Sequence, residues 1–405
     1  METPAASTEP TSPPAAPPTG NLRDLVRYFL ALGTFGFGGP IALAGYMQKD
    51  LVEKRGWISK QDYVEGLALA QLAPGPLAAQ LAIYLGWTKG GNLGASAIAA
   101  AFILPSFLMV LVLSALYVRF GGMPWMQNAF YGVGAAVISI IARSSLKLIK
   151  LTLGKDALLW ILFGVSAVTT AWLETEVVWL FLGSGVVVLL WRGRRRLRVD
   201  ATAFLFGPGT FLSLASAAGT DAVLVAAPIS WRLLGRVALY FAEAGSFVFG
   251  SGLAIVPFLH GGVVNDFHWL TERQFLDAVA VAMITPGPVV ITVAFIGYLV
   301  AGPLGAAAAS LGVFLPCYLF VIVPAPYFRR FASNPHVKAF VDGVTAAATG
   351  AIAGAAFVLG RRALIDVPSV LIAAGAWLSF RTAKKVPEPL VILAAAGAGL
   401  LLRMG

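Results

Sequence analysis

The chain has 405 residues, of which 58% are hydrophobic and only 12% are charged. Its mean hydropathy is +0.82. A soluble globular protein carries about 25% charged residues, so a soluble fold of this length would lack the polar surface to cover itself. The composition therefore predicts an integral membrane protein whose apolar segments face membrane lipid. The 44 glycines agree, because close helix packing in a bilayer favours small residues.

The cysteine, histidine and charge content excludes several kinds of site. One cysteine cannot build a disulfide scaffold or a zinc ribbon, and the three histidines show no HxxxH spacing. We therefore expect no metal and no cofactor. The net charge of +10 raises the question of nucleic acid, but five arginines lie together at 192–198, directly after an apolar run. Arginines at that place usually hold a helix end at the cytoplasmic face, so we expect no nucleic-acid partner.

In chain order, a Pro-rich tail at 1–21 is predicted to be disordered. A first series of apolar segments follows, near 24–46, 63–87, 93–118, 128–150, 156–172 and 176–191. After a basic linker at 192–232 comes a second series, near 234–259, 275–300, 303–327, 340–360, 366–380 and 388–403. The segments lack the two-residue alternation of membrane strands. We predict an all-α polytopic membrane protein with about 10–12 transmembrane segments.

An internal repeat divides the chain. A shift of 212 residues places Trp57 on Trp269 and the Pro-Gly-Pro run at 74–76 on that at 286–288. After one deletion the shift is 211, and the register still holds where Gly132 meets Gly343. This predicts two homologous halves, 22–191 and 233–405. Secondary transporters commonly have this organisation, with the substrate site at the interface of the repeats.

The distribution of lysine and arginine bears on the orientation of the halves. If each Pro-Gly-Pro segment, 63–87 and 275–300, enters and leaves the membrane on one side, each half has five crossings. The halves are then inverted. With the N-terminus outside, most positive charges fall on the inner side, in accord with the positive-inside rule. We therefore predict ten crossings and inverted repeats.

The two Pro-Gly-Pro runs are the main candidate for a substrate site. Two prolines around a glycine break a helix, here in the middle of an apolar segment. Non-helical backbone at membrane depth is tolerated inside protein or beside a water-filled cavity, and the amides after a break can bind an anion. A structural kink in each half is the alternative. The candidate residues are Pro74, Gly75, Pro76, Pro286, Gly287 and Pro288, with Gln71 and Thr285 as hydrogen-bonding residues beside the breaks.

A second, glycine-rich break at 35–40 has its counterpart at 247–252. Substrate contact and tight helix packing are both compatible with these runs. Neither run contains GxxxxGK[ST], which excludes a nucleotide phosphate loop and an ATP-driven pump within this chain. The candidate substrate residues here are Phe37, Gly38, Gly39, Pro40, Phe249, Gly250 and Gly252.

Charged residues supply two further kinds of candidate, an acid within an apolar stretch and a set of loop cations. Glu243 lies in the apolar stretch 237–249, where an ionised carboxylate is costly unless it is paired or in water. It is a candidate for carrying a coupling proton, and an ion pair with Arg236 is the alternative. Four cations in the loops after the first segments could attract anions by local potential or be ordinary solvated charges. They are Lys49, Lys54, Arg55 and Arg273.

These motifs together resemble the chromate ion transporter family. The resemblance covers about 24–403 and rests on FGFGGP at 35–40, QLAPGP at 71–76, FVFGSG at 247–252, WLTE at 269–272 and TPGPVV at 285–290. It implies a bacterial inner-membrane protein with two homologous halves that exports chromate using the proton-motive force and confers chromate resistance. Sulfate or another tetrahedral oxyanion is the alternative substrate. Family members often have a histidine shortly after the first Gly-Gly-Pro, whereas this chain reads IALA at 41–44.

Other classes of function find little support. The chain contains no HExxH, no GxSxG and no paired intramembrane aspartates, so we do not predict an enzyme. A membrane scaffold would need neither a doubly broken helix nor a buried acid. The sequence leaves open whether the protein forms a homodimer and whether coupling is symport, antiport or uniport.

Overall fold

The computed structural model describes residues 20–37, 39–120, 123–173, 177–193, 230–247, 255–328, 334–382 and 388–403. Among these residues every regular element is helical. Four helices are long and apolar enough to cross a membrane, namely 77–120, 125–150, 289–327 and 335–363. The chain is therefore an all-α, multi-pass membrane protein, as its composition predicts. The predicted tail through residue 19 and the linker at 194–229 lie outside the described residues.

The described residues of the first half form seven helices. They are α1 (Leu22–Phe35), α2 (Gly39–Met47, continued by a π-helical turn at Gln48–Lys54), α3 (Lys60–Leu72), α4 (Leu77–Phe120), α5 (Pro124–Thr152), α6 (Ala157–Leu173) and α7 (Val178–Gly193).

The second half repeats this order. Its helices are α8 (Trp231–Phe247), α9 (Ile255–His260, with a π-helical turn at Gly261–Asp266), α10 (Glu272–Ile284), α11 (Thr292–Ile322, after a 3-10 turn at Val289–Ile291 and before one at Ala325–Tyr327), α12 (Pro335–Ala363), α13 (Val367–Thr382) and α14 (Glu388–Arg403). Even the caps correspond, since the hydroxyls of Ser59 and Thr271, 212 positions apart, accept hydrogen bonds from the first-turn amides of α3 and α10.

Helices α4 and α11 are each folded into two limbs. The bend lies at Gly90–Gly91 in α4 and at Ala301–Gly302 in α11. A Cβ on Gly86 would lie only 2.6 Å from the carbonyl oxygen of Gly94. In a straight helix eight residues span about 12 Å, so the limbs 77–89 and 92–120 run back along each other. The sequence places a segment boundary at the same point, between 87 and 93.

Helix α3 also folds back, onto the first limb of α4. The hydroxyl of Tyr84 lies 3.3 Å from the carboxylate of Glu65, and a Cβ on Gly66 would overlap the Tyr84 ring. In a continuous helix these residues would be about 27 Å apart. Helix α3 and limb 77–89 are therefore antiparallel arms of a hairpin, with the first Pro-Gly-Pro run at its turn.

The apolar segment expected at 24–46 is not one helix. The chain leaves the helical conformation after Phe35, and α2 returns toward the start of α1. The guanidinium of Arg55 stacks over the Trp57 ring at 4.5 Å and over the Tyr28 ring at 5.6 Å. In the second half the Tyr240 hydroxyl likewise donates to the Phe258 carbonyl (3.1 Å). Both α1–α2 and α8–α9 are thus hairpins.

The last two helices of each half pack on the other half. Helices α6 and α7 pack against α12, while α13 and α14 pack against α5. Small residues allow these close approaches. Arg192 at the end of α7 donates to Asp342 of α12 (2.6 Å) and to Asp156, which precedes α6 (2.8 Å). The hydrogen bond from Arg192 lowers the pKa of Asp156. The first arginine of the predicted cluster therefore joins the two halves.

Candidate functional site

The Pro-Gly-Pro runs occupy the turns of two buried hairpins. Helix α3 ends at Leu72 and α4 begins at Leu77, while α10 ends at Ile284 and the 3-10 turn begins at Val289. Gly75 has a φ of +135° and Gly287 a φ of +100°, a region that side chains other than glycine rarely adopt. Glycine is therefore required at the centre of each turn.

Each turn lies against the other half of the molecule. The amide of Gly287 donates to the carbonyl oxygen of Gly36 at the end of α1 (2.9 Å). The Ser106 hydroxyl donates to the Gly33 carbonyl (3.2 Å), and a Cβ on Gly287 would overlap that hydroxyl. The second-half turn thus closes on α1 and on the long limb of α4.

The first-half turn makes the corresponding contact. A Cβ on Gly75 would lie 3.0 Å from Sγ of Cys317, the counterpart of Ser106 in α11. Cys317 is fully buried, and its thiol points to the Gly245 carbonyl at 3.7 Å. Each turn therefore lies against the long limb of the other half, in a pseudo-twofold arrangement.

The helix starts that follow the two turns differ. In the first half, the amide of Gln80 already bonds to the Pro76 carbonyl (3.0 Å), which leaves the amides of 77–79 as the donors of the helix end. In the second half, the Ile291 amide donates to the Pro288 carbonyl (2.9 Å). Fewer donors are therefore free at the second turn than the sequence suggests.

Gln80 is a buried polar residue that sequence reasoning missed. It is 0% exposed, and its Nε2 donates to the Pro74 carbonyl within the turn. Its Oε1 has no hydrogen-bond partner among the described residues. At a shift of 212 its counterpart is Thr292, which is also 0% exposed. A polar residue one turn after each Pro-Gly-Pro run was the available signal.

The two hydrogen-bonding candidates lie in different surroundings. Gln71 is exposed on α3. Thr285 is buried at the second turn, where its hydroxyl donates to the Val281 carbonyl (2.7 Å). Thr285 is thus at the site with its proton already engaged, whereas Gln71 faces outward.

The glycine-rich tip is described only in part. Phe37 is half-buried beside the turn, and Gly39 and Pro40 begin α2. Gly38, Phe249, Gly250 and Gly252 lie outside the described residues. For the described part, the bond between Gly36 and Gly287 brings this tip to the Pro-Gly-Pro turn.

Glu243 lies near the end of α8, two residues before Gly245, and the loop cations lie elsewhere. Glu243 is exposed on α8, and the described residues contain no ion pair between it and Arg236. The cations lie near the open ends of the hairpins, at the opposite end from the turns. Lys54 pairs with Asp50 (3.0 Å), and Arg273 donates to the Gln127 carbonyl (2.8 Å). Lys49 is exposed on the π-helical turn, and Arg55 stacks as described above.

A matched pair of acids was also missed. Glu65 in α3 and Asp277 in α10 are equivalent at the shift of 212, each nine residues before the first proline of its run. Asp277 is 4% exposed and accepts a hydrogen bond from the Tyr117 hydroxyl (2.7 Å). An acid with non-polar residues directly on both sides was the signal, and it occurs twice in register.

Comparisons with known proteins identify the relatives of this chain. The family model described as "Chromate transporter" matches twice, at residues 23–189 and 235–400. The "Chromate transport protein" of Cupriavidus metallidurans is 57% identical over 95% of this chain and 94% of its own length. The "Probable chromate transport protein" of Synechococcus elongatus is 54% identical over 95% and 96%. A "Chromate transport protein" of Pseudomonas aeruginosa is 33% identical over 98% and 96%. No solved structure matches the chain at a significant level.

The double match agrees with two homologous halves, and the relatives confirm the resemblance drawn from the motifs. The exact boundaries of the halves and the individual site residues stay predictions.

Proposed function

Because the chain belongs to the chromate transporter family, we propose that it is a secondary transporter that exports chromate across the bacterial inner membrane, driven by the proton-motive force. The observation that carries this proposal is that the Pro-Gly-Pro turn of each half lies against the long limb of the other half. The bond from the Gly287 amide to the Gly36 carbonyl marks this place. Substrate sites of transporters with repeated halves lie at the repeat interface, where discontinuous helices end.

The contacts between the halves support inverted repeats. Ser96, near the start of limb 92–120, bonds to the hydroxyl of Tyr318, near the end of α11 (2.7 Å). Tyr117, near the end of the same limb, packs on Phe295 in the first limb of α11 (5.0 Å between ring centroids). Equivalent helices of the two halves therefore run in opposite directions. The hairpins of the two halves enter from opposite membrane faces, and their turns meet in between.

The α1–α2 hairpin leads us to propose fewer crossings than the ten expected from the sequence. Since α1–α2 is a hairpin and not a crossing, we propose that the described residues of each half form four crossing helices and two re-entrant hairpins. Gly193 at the end of α7 and Trp231 at the start of α8 then lie at opposite membrane faces. The N-terminus then shares a membrane face with Trp57 and with the bend of α4. We propose that this face is cytoplasmic, where the sequence analysis expected the N-terminus outside.

The positive-inside rule supports that orientation. Fourteen of the lysines and arginines that the structure describes lie toward the N-terminal face and seven toward the other. The first group is Arg23, Arg27, Lys49, Lys54, Arg55, Lys60, Lys89, Arg143, Lys147, Lys150, Lys155, Arg192, Lys338 and Arg381. The second is Arg119, Arg232, Arg236, Arg273, Arg361, Arg362 and Arg403.

The turns offer chemistry suited to an oxyanion. A helix N-terminus carries about half a positive charge, so the two starts after Pro76 and Pro288 supply about one charge against the two of chromate. The amides of 77–79 can donate to chromate oxygens. The membrane potential favours export, because it contributes about 2.3 kcal/mol per elementary charge for each 100 mV, and a dianion leaving a negative interior gains twice that.

Chromate uptake into everted membrane vesicles tests the proposal. We expect energised vesicles to accumulate chromate and an uncoupler to abolish the accumulation. Intact vesicles with verified protein that take up no chromate would refute chromate export. The three relatives described above are named for chromate, which favours it over sulfate. Excess sulfate in the same assay measures how far the site discriminates, since both are tetrahedral dianions.

A further inference from the structure

The strongest unexplained feature of the fold is the buried acid of α10. The Asp277 side chain is in a helix of apolar neighbours, and only 4% of it is exposed. One carboxylate oxygen accepts a hydrogen bond from the Tyr117 hydroxyl at 2.7 Å. Tyr117 belongs to the first half and Asp277 to the second, so the bond lies across the interface between the halves.

The first half has an equivalent acid with a different partner. Glu65 lies 3.3 Å from the hydroxyl of Tyr84, within its own half. The counterpart of Tyr84 in the second half is Phe295, which has no hydroxyl. Tyr117 packs its ring on Phe295 and supplies the missing hydroxyl from the other half. The bond of Asp277 therefore depends on how the halves sit against each other.

Its burial and its position between the halves allow Asp277 an ionised state and a protonated state. An ionised carboxylate in apolar surroundings is stabilised by the hydrogen bond from a tyrosine hydroxyl, whereas a protonated carboxyl tolerates the loss of that bond. A rearrangement of the halves that separates Tyr117 from Asp277 therefore favours binding of a proton. The reverse rearrangement favours its release.

We propose that Asp277 is the residue that exchanges the coupled proton, taking it up from the outer side and releasing it to the cytoplasm as chromate leaves, with Tyr117 as the positioning residue that holds the ionised form. This inference rests on the proposed function. Only a proton moves, from one face of the membrane through the Asp277 carboxyl to the other. No covalent bond to chromate forms.

Other ionisable groups near this end of α10 are engaged elsewhere. Arg273, one turn earlier, acts on Asp277 through its charge while its guanidinium bonds to the Gln127 carbonyl. The remaining pairs are Glu272 with His260 (2.9 Å) and with Arg362 (2.8 Å), and Tyr131 of α5 with Asp366. Glu243, the acid singled out from the sequence, is exposed on α8. Within the part of the chain that the structure describes, Glu243 makes no hydrogen bond or ion pair across the halves.

The test separates proton coupling from chromate transport. Everted vesicles containing the full chain are clamped at zero potential with valinomycin and equal potassium, and an acid interior is imposed. A gradient of about one pH unit can drive about tenfold accumulation for each proton exchanged. Chromate counterflow, measured without any gradient, reports transport alone.

For Asp277→Asn, which imitates the protonated carboxyl, we expect counterflow to continue and accumulation driven by the pH gradient to be lost. Asp277→Glu, which matches Glu65, should retain the accumulation. Tyr117→Phe should shift the pH dependence of driven transport to higher pH by about one unit, because the ionised form loses its donor. The control is Asp366→Asn, which removes another Tyr–Asp bond between the halves and should leave the response to the gradient unchanged.

Each outcome is decisive. Wild-type protein without counterflow would refute the proposed function itself. Wild-type counterflow together with undiminished gradient-driven accumulation in Asp277→Asn would overturn the role of Asp277 alone. If Asp277→Asn does not reach the membrane, Tyr117→Phe decides, since an unshifted pH dependence would also overturn the assignment.

Discussion

Gly287 of the second half donates its backbone N–H to the carbonyl oxygen of Gly36 in the first, at 2.9 Å. The turn of a hairpin in one half thus supplies a hydrogen-bond donor to the end of a helix in the other half. Both carbonyl and amide would otherwise be unpaired backbone groups at membrane depth, where each costs several kcal/mol. Such bonds make the irregular backbone of the site dependent on the fit between the halves.

A Cβ at the second turn is expected to abolish transport. Gly287→Ala would strain a backbone with a φ of +100° and overlap the Ser106 hydroxyl, so the turn must move away from α1. Gly154→Ala is the control, since Gly154 also has a positive φ (+49°) but no atom within 4 Å of an added Cβ. Chromate uptake normalised to the amount of inserted protein measures the effect. Equal uptake by both variants would argue against the turn as part of the site.

The buried amide of Gln80 is expected to hold the first turn. Gln80→Met keeps the size of the side chain but removes the donor to the Pro74 carbonyl. We expect the rate of chromate uptake to fall about tenfold or more, which corresponds to about 1.4 kcal/mol in the barrier. Gln71→Met, on the exposed face of α3, is the matched control and should transport normally. An unimpaired Gln80→Met would leave the substrate site without this residue.

The ion pairs of Arg192 are expected to stabilise the joint between the halves. Arg192→Ala leaves Asp156 and Asp342 without their shared cation, so the melting temperature in detergent should fall by a few degrees. Because Arg192 lowers the pKa of Asp156, this stabilisation is present above the usual carboxyl range and is lost as the pH falls below it. The difference between wild type and variant should therefore shrink below about pH 4. Lys155→Ala, an exposed neighbour, serves as the comparison and should melt like wild type at every pH.

Cysteine accessibility should place the two ends of the crossing helices on opposite faces. The single native cysteine can be replaced by serine, the residue found at the equivalent Ser106. In that background, Arg23→Cys, Lys54→Cys and Lys155→Cys should react from the cytoplasmic side, and Ile365→Cys from the other. Arg23→Cys and Lys54→Cys reacting from opposite faces would contradict the α1–α2 hairpin and restore a crossing there.

Much of the architecture could be predicted from residue types alone. The shift of 212 residues predicts the equivalence of Ser59 with Thr271 and of Gly75 with Gly287. In the structure both hydroxyls cap a helix, and both glycines have a positive φ. These features are local, because a cap, a turn and a break depend on the residues beside them in sequence. The doubling of the family match agrees with them.

The sequence by itself determined that this is a membrane protein with two homologous halves and broken helices, and it determined the family. These conclusions follow from the apolar content and from motifs that repeat in register. Only the tertiary structure decided that the segment at 24–46 turns back, that α6 and α7 pack on the other half, and that Tyr117 bonds to Asp277. Residues that are distant in sequence make these contacts. The energy of these contacts depends on which surfaces fit together, and a single sequence does not reveal this.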